Sequence, residues 1–366
     1  MESSLYPMKF MPLYKNKVWG GNKIGTLGFD YSPLPNCGEL WALSGVKGNE
    51  SVIANGFLAE NDINEALEIY MGELIGEQNF NHFGTEFPLL LKIIDANDDL
   101  SIQVHPNDRL ARERGMENGK TEMWYIMEAE GGAHIVDGFN QSITKEEYQQ
   151  ILALGKLESV LHCEEAQRGD VFFIPAGRVH ALGKGLLLAE IQQKSDCTYR
   201  IYDYMRPDAN GKLRELHTAE ALDAIDFGEL KDGKTHYTYK ENNTTKLAEC
   251  PYFTTNLIPL RQPMKKDFDS LDSCIIYLCV DGIAAIKSMG KIEPIHAGEC
   301  VLIPAVADAV ELFAKGAAKL LEIYIDPAQW TDKGSINHST DRDWMVRFAG
   351  KEELLQKEKA KPAEGN

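Results

Sequence analysis

The stretch "GDVFFIPAGRVHAL", Gly169 to Leu182, decides the fold. It runs from a glycine fit for a turn, through an apolar segment of strand length, to a proline-led turn and a histidine. The unit recurs as "GECVLIPAVADAVEL" over 298–312, with the same spacing from Gly298 to Pro304 as from Gly169 to Pro175. Such units fit successive strands of a small antiparallel barrel, and their recurrence predicts two barrels in tandem. The copies differ where chemistry would sit, because the slot of His180 is Ala309 in the second. "TEMWYIMEAEGG" has a weaker echo in "DSCIIYLCVDGI". Matching Gly131 to Gly282 without gaps puts Ser273 opposite Glu122. One copy carries ligand-type residues and the other does not.

Working outward, "FPLLLKIIDA", "LSIQVHP", "TEMWYIMEA" and "GLLLAEIQQ" read as further strands, separated by Asn, Asp, Gly and Pro. Helical spacing interrupts over 62–76, where Asp62 is a cap, over 142–161, and briefly over 214–226. The expected architecture is mainly β. Residues 1–240 form a first unit with a helical insertion near 142–161, 241–330 form a second, ligand-free barrel, and 331–366 form a charged tail. The second barrel is expected to cover hydrophobic surface of the first.

The chain has 366 residues, enough for two compact units with a sizeable core. Its seven cysteines are odd in number and scattered, without a CxxC pair, which fits reduced thiols in a cytoplasmic setting. No apolar run reaches the length of a membrane span, and "MESSLYPMKF" has no signal-peptide character. A formal charge of −18 argues against nucleic acid or an anionic membrane as partner. An anionic small substrate would need a local cationic pocket.

Within "LSIQVHPND", Leu100 to Asp108, apolar residues alternate with Ser101, Gln103 and His105. A strand therefore aims an amide and an imidazole the same way, just before a proline ends the pairing. Glu122 opens the next strong strand, and His180 follows the Pro-Ala-Gly turn. Two imidazoles, a carboxylate and an amide oxygen inside a barrel make a borderline N/O metal site. Zinc is the first choice, with iron, manganese, cobalt or nickel chemically tolerable. A thiolate-free site of this kind is more often catalytic than structural, since it leaves room for water or a substrate oxygen.

Gly169, Pro175, Gly177 and His180 match the second cupin motif. The first motif, usually His-x-His followed by a glutamate, is here Gln103-Val104-His105 with Glu122. Glutamine at that position resembles the type I phosphomannose isomerases. The resemblance extends through "KVWGG" (17–21), "GELWALSG" (38–45), "FPLLLKIIDANDDLSIQVHPND" (87–108), "GKTEMWYI" (119–126), "EIQQKSDCTYRIYDYMR" (190–206) and "RELH" (214–217). The last two resemble the family's shorter, bacterial branch.

That resemblance implies two cupin (jelly-roll) barrels and one zinc ion per chain, held by His105, Glu122, His180 and Gln103. It also implies interconversion of mannose 6-phosphate and fructose 6-phosphate through an enediol or enediolate. Arg200 falls at the family's active-site arginine, and Glu190 is a candidate acid/base. Lys120 is a candidate for holding a sugar oxygen or the phosphate, and Lys92 a weaker one for the phosphate pocket. Another metal-dependent cupin enzyme, such as an iron oxygenase, and a sugar-phosphate sensor without turnover are the competing readings. Oligomeric state is not given by the sequence.

Overall fold

The structure, a computed structural model, describes residues 5–207 and 211–330, so the expected charged tail lies outside the described residues. Three antiparallel sheets account for its strands. A six-stranded sheet has the order β2 (Leu13–Lys15), β3 (Glu39–Ser44), β4 (Leu89–Ala96), β11 (Leu186–Gln193), β6 (Glu122–Ala129), β9 (Val171–Ile174). Strands β4 and β11 are buried along their whole length, which is why their sequences are apolar runs rather than alternations. A five-stranded sheet has the order β12 (Tyr199–Tyr202), β5 (Ile102–Val104), β10 (His180–Leu182), β7 (His134–Phe139), β8 (Leu161–Glu165).

These two sheets face each other across Ile94, Trp124, Phe172 and Leu188 on one side and Ile135 and Leu182 on the other. The site lies in the same space. The outer face of the six-stranded sheet, with Leu91, Ile93, Met123 and Ile191, packs on Leu257, Ile276, Leu302 and Leu321 of the third sheet. The third sheet thus covers the outer hydrophobic face of the six-stranded sheet.

The third sheet has eight strands. Its path is β1 (Met8–Lys9), β18 (Cys300–Ile303), β16 (Ile275–Ser288), β19 (Ala309–Tyr324), β14 (Thr254–Leu260), β13 (Thr245–Glu249). β15 (Met264–Asp267) joins β19, and β17 (Lys291–His296) joins β16. The long strands β16 and β19 shift register at Cys279/Asp281 and Gly282/Ala284 and so serve two sets of partners around Ile258, Tyr277, Ile286 and Leu320. Through β1, where Met8 pairs with Leu302, the amino terminus is stitched into this sheet.

Helix α1 (Lys23–Thr26) is one turn. Helix α2 (Ile63–Ile75) begins where Asp62 and Glu65 form a reciprocal capping box, as the 62–76 pattern requires. Helices α3 (Glu77–Phe83) and α4 (Asp108–Glu113) follow. The helix expected over 142–161 is much shorter: α5 covers Lys145–Ala153, capped by Thr144. Gly155, at φ 65°, ends it, and the apolar run beyond becomes a 3-10 turn and then β8. Helix α6 (Thr218–Ala224) falls within 214–226. All seven cysteines are free thiols.

One alignment between the units needs correcting. Glu122 pairs with Ile174 and Trp124 with Phe172, whereas Ile275 pairs with Ile303 and Tyr277 with Val301. The shared glycine spacing carries Ile174 onto Ile303, so the counterpart of Glu122 is Ile275, not Ser273. The cause is a difference in hairpin length: the run from Trp124 to Gly131 is two residues longer than that from Tyr277 to Gly282.

Candidate metal centre and active site

The five-stranded sheet sets a row of polar residues on its inner face. Arg200 pairs with Gln103, Gln103 with His180, and His180 with Asp137, so all four share one side of the pleat. The intervening Ile102 and Val104 point the other way, into a core with Val179, Ala181 and Tyr199. His105 extends the Gln103 face by one step. Glu122, at the start of β6, approaches from the opposing sheet.

The three ligand-type side chains are fully buried, and their candidate ligand atoms lie within 4.8 Å of one another. His105 Nε2 is 3.6 Å from Glu122 Oε2, and His180 Nε2 is 3.4 Å from Glu122 Oε1. His180 Nδ1 donates to the Arg178 carbonyl at 2.8 Å, which fixes the tautomer and leaves Nε2 as a lone pair. The Gln103 amide nitrogen sits 3.2 Å from that atom, and turning the amide over presents Oε1 instead. Both nitrogens of His105 and Glu122 Oε1 lack any hydrogen-bond partner, and Glu122 Oε2 meets only the ammonium of Lys120. Buried polar atoms are seldom left so, and this set, with N and O donors converging, fits a divalent cation.

Electrostatics favour the same occupant. Burial, then the charge of Lys120, pushes His105 well below its ordinary value, and burial takes His180 down to about 3 despite the Arg178 carbonyl. Both imidazoles are therefore neutral and able to ligate. Burial and the charge of Glu190 raise Glu122 to about 7 against the pull of Lys120. A cation would supply the missing counter-charge.

Behind the triad, the six-stranded sheet carries a second row: Trp41, Lys92, Glu190 and Trp124 are successive ladder partners. Lys92 Nζ lies 2.9 Å from Glu190 Oε1, and Trp124 Nε1 donates to Glu190 Oε2 at 3.0 Å. Burial would raise the Glu190 carboxyl, but Lys92 and Lys120 outweigh it and hold the group well below the usual range. Burial would lower Lys92, but Glu190 and Glu39 keep it protonated. Lys120 Nζ is 2.9 Å from Glu122 Oε2. The two lysines expected to serve an anionic substrate are thus each balanced by a glutamate.

Arg200 is half-buried. Its Nη1 donates to the Glu215 carbonyl at 2.9 Å, its Nε has no partner, and burial followed by the charge of Arg214 lowers its value. Arg206 and Arg214 both bind Asp203, and Arg206 Nη1 also donates to Asp98 Oδ2 at 3.0 Å.

The structure brings Gln103, His105, Glu122 and His180 together, with Lys120 on Glu122 and the Lys92–Glu190 pair behind them. Sequence reading passed over Glu39, Trp41, Asp137, Arg178 and Arg214. The signal for Asp137 and Arg178 was present: Asp137 is a charged residue at an inward position of an apolar strand, and Arg178 is a charge in the turn segment just before His180. Glu39 and Trp41 sit inside "GELWALSG", where Trp41 Nε1 donates to Glu39 Oε2 at 2.7 Å.

Comparison with known proteins agrees with this geometry. The family model of the phosphomannose isomerase type I catalytic domain matches residues 8–128. Mannose-6-phosphate isomerase ManA of Bacillus subtilis strain 168 is 41% identical over 302 residues, covering 81% of this chain and 93% of that protein. Mannose-6-phosphate isomerase of Streptococcus mutans is 38% identical over 250 residues, covering 68% and 77%. The crystal structure of a Bacillus subtilis mannose 6-phosphate isomerase superposes with a TM-score of 0.78 at 32% identity, over 87% of this chain and 99% of that one. A variant of phosphomannose isomerase from Salmonella typhimurium, at 19% identity, shares the fold with a TM-score of 0.72 over 87% and 99%. Near-complete coverage of such relatives, around a buried ligand set of the expected composition, makes this chain a member of the type I phosphomannose isomerases.

Proposed function

We propose that the protein interconverts mannose 6-phosphate and fructose 6-phosphate with zinc held by His105, Glu122, His180 and Gln103. The observation that carries this is the buried convergence of His105, Glu122 and His180, with the Lys92–Glu190 pair on the same inner face of the six-stranded sheet as Glu122. A divalent cation there supplies a Lewis acid for the oxygen on which enediolate charge develops. Glu190, kept ionised by Lys92 and oriented by Trp124, takes the proton from C2 of the aldose and returns it to C1. The hydroxyl proton moves from O2 to O1 in the same exchange, so the conversion is balanced. Arg200 binds a substrate oxygen or the phosphate through its guanidinium. Lys120 turns from Glu122 to a sugar oxygen when the carboxylate is engaged by the cation.

In this reading, residues 1–240 form the catalytic unit and 241–330 a ligand-free barrel, and the enzyme works in the cytoplasm. Among the described residues no helix is long and apolar enough to cross a membrane. The test is zinc content alongside conversion of mannose 6-phosphate, before and after chelation. About one zinc per chain, with activity lost on chelation and regained with zinc, is expected. Bound zinc without turnover would leave the metal site and remove the reaction.

A further inference from the structure

We infer that Asp137 and Arg178, given room by Gly233, form a positioning pair that holds the metal-facing nitrogen of His180 from behind. This rests on the metal reading of the triad. Arg178 acts on the imidazole through its main chain, since its carbonyl accepts the Nδ1 proton. Its side chain is tied separately: Nη1 donates to Asp137 Oδ1 at 2.6 Å. Asp137 is the ladder partner of His180 on β7 and is wholly buried. One ion pair therefore ties β7 to the segment leading into β10 and fixes the stretch of chain whose carbonyl orients the imidazole.

Burying such a pair gives up stability that aliphatic residues of similar size would supply, so its presence beside Ile135 and Leu182 calls for a use. The surroundings are cut to fit it. A β-carbon on Gly138, at φ 78°, would come within 3.1 Å of Arg178 Cδ. One on Gly233 would fall on Asp137 Oδ2, well inside contact distance. Gly233 lies in a strap that bridges the two facing sheets, through Phe139 to Glu229 and Phe172 to Lys234, and its own N–H donates to Glu164 Oε1 at 2.8 Å.

The second unit provides an internal comparison. By the glycine spacing, the slots of Arg178 and His180 there are Ala307 and Ala309. The orienting arginine and the histidine are absent together from the second copy.

The test uses the full-length protein and zinc itself. Gly233→Ala displaces the Asp137 carboxylate without touching either strand, and its backbone conformation is open to alanine. Asp137→Ala removes the carboxylate, and Lys266→Met, which breaks a buried ion pair in the other unit, controls for general loss of stability. Zinc affinity is measured by competition with a chromophoric chelator, with melting temperature recorded with and without zinc. Gly233→Ala and Asp137→Ala should each bind zinc about tenfold more weakly and gain less in melting temperature from it. Lys266→Met should melt lower with zinc affinity unchanged.

Should Asp137→Ala fail to fold, Gly233→Ala decides. Undiminished zinc affinity in the variants that fold, or an equal loss in Lys266→Met, overturns the inference. Absence of zinc binding by the unmodified protein would overturn the metal reading itself, a distinguishable result.

Discussion

Tyr277 donates from its hydroxyl to Glu322 Oε2 at 2.9 Å, in the ladder position where Trp124 donates to Glu190 in the first unit. Glu322 is also 3.0 Å from Lys266 Nζ and accepts from Asn256 Nδ2 at 3.1 Å. Lys92 has the matching relation to Glu190, but it reaches the carboxylate from the neighbouring strand of its own row, where the second unit has Asn256. The second unit has kept an inward carboxylate, an aromatic donor and a lysine. At the positions of Glu122 and His180 it has Ile275 and Ala309, and Asp267, the ladder partner of Ala309, stands where Gln103 pairs with His180.

Because Glu322 is satisfied by three partners and faces no open ligand set, it is expected to serve stability alone. Lys266→Met leaves the carboxylate buried without its counter-ion and should cost about 3 kcal/mol in chemical denaturation. Turnover of mannose 6-phosphate by the folded variant should stay within about twofold of the unmodified protein, since the site is remote and shares no partners with it. A large loss of turnover at unchanged zinc content would show that the second unit shapes the active site.

Much of this was legible beforehand, for reasons that can be stated. Period-two alternation around Gln103 and His105 set their common face, and the Gly169–Pro175 spacing located His180, because both depend on local sequence. What was not legible depends on register between distant segments. The Lys92–Glu190 pair exists only because β4 and β11 align those residues, so Lys92 read as a cation for substrate. The Glu122 counterpart was misplaced by two residues because a change in hairpin length is invisible without the ladder. The helix over 142–161 was overextended since apolar spacing in "ILALGKLESVL" suits a helix or a turn and strand, and Gly155 decides between them.

The triad predicts which side chains the metal depends on. His105→Ala and His180→Ala should each lose zinc and activity together, because each removes a neutral nitrogen from a site with few alternatives. Metal analysis of the purified variants, with assay after zinc addition, checks this. A variant retaining stoichiometric zinc would take that histidine out of the ligand set.

The Lys92–Glu190 pair predicts a pH effect with a definite sign. Glu190 is depressed from 4.5 to about 2, so its contribution to stability is fully present above 4.5 and is lost as pH falls from there towards 2. In Lys92→Met the burial of Glu190 is opposed mainly by Lys120, so its carboxyl rises. The acid limb of the kcat/KM profile should then move upward, by about 1 pH unit or more, and stability should no longer show that acid-side loss. A profile whose acid limb stays in place would mean that Glu190 is not the group that must be ionised.

Arg200 and Lys120 should separate on different readouts, because only the Lys120 side chain contacts the His105–Glu122–His180 triad. Arg200 makes no contact with the triad, its guanidinium being held by the Glu215 carbonyl. Arg200→Ala should therefore keep zinc and lower kcat/KM by about a hundredfold or more, the scale for losing a charge-stabilising donor. Lys120 sits 2.9 Å from Glu122 and opposes its protonation. Lys120→Met removes a cation that competes with zinc for that carboxylate, so zinc should bind at least as tightly while turnover falls through loss of a sugar contact. Zinc titration and steady-state kinetics on both variants distinguish these outcomes. Weakened zinc binding in Lys120→Met would make that lysine a support for Glu122 rather than a competitor, and full turnover in Arg200→Ala would place the substrate elsewhere.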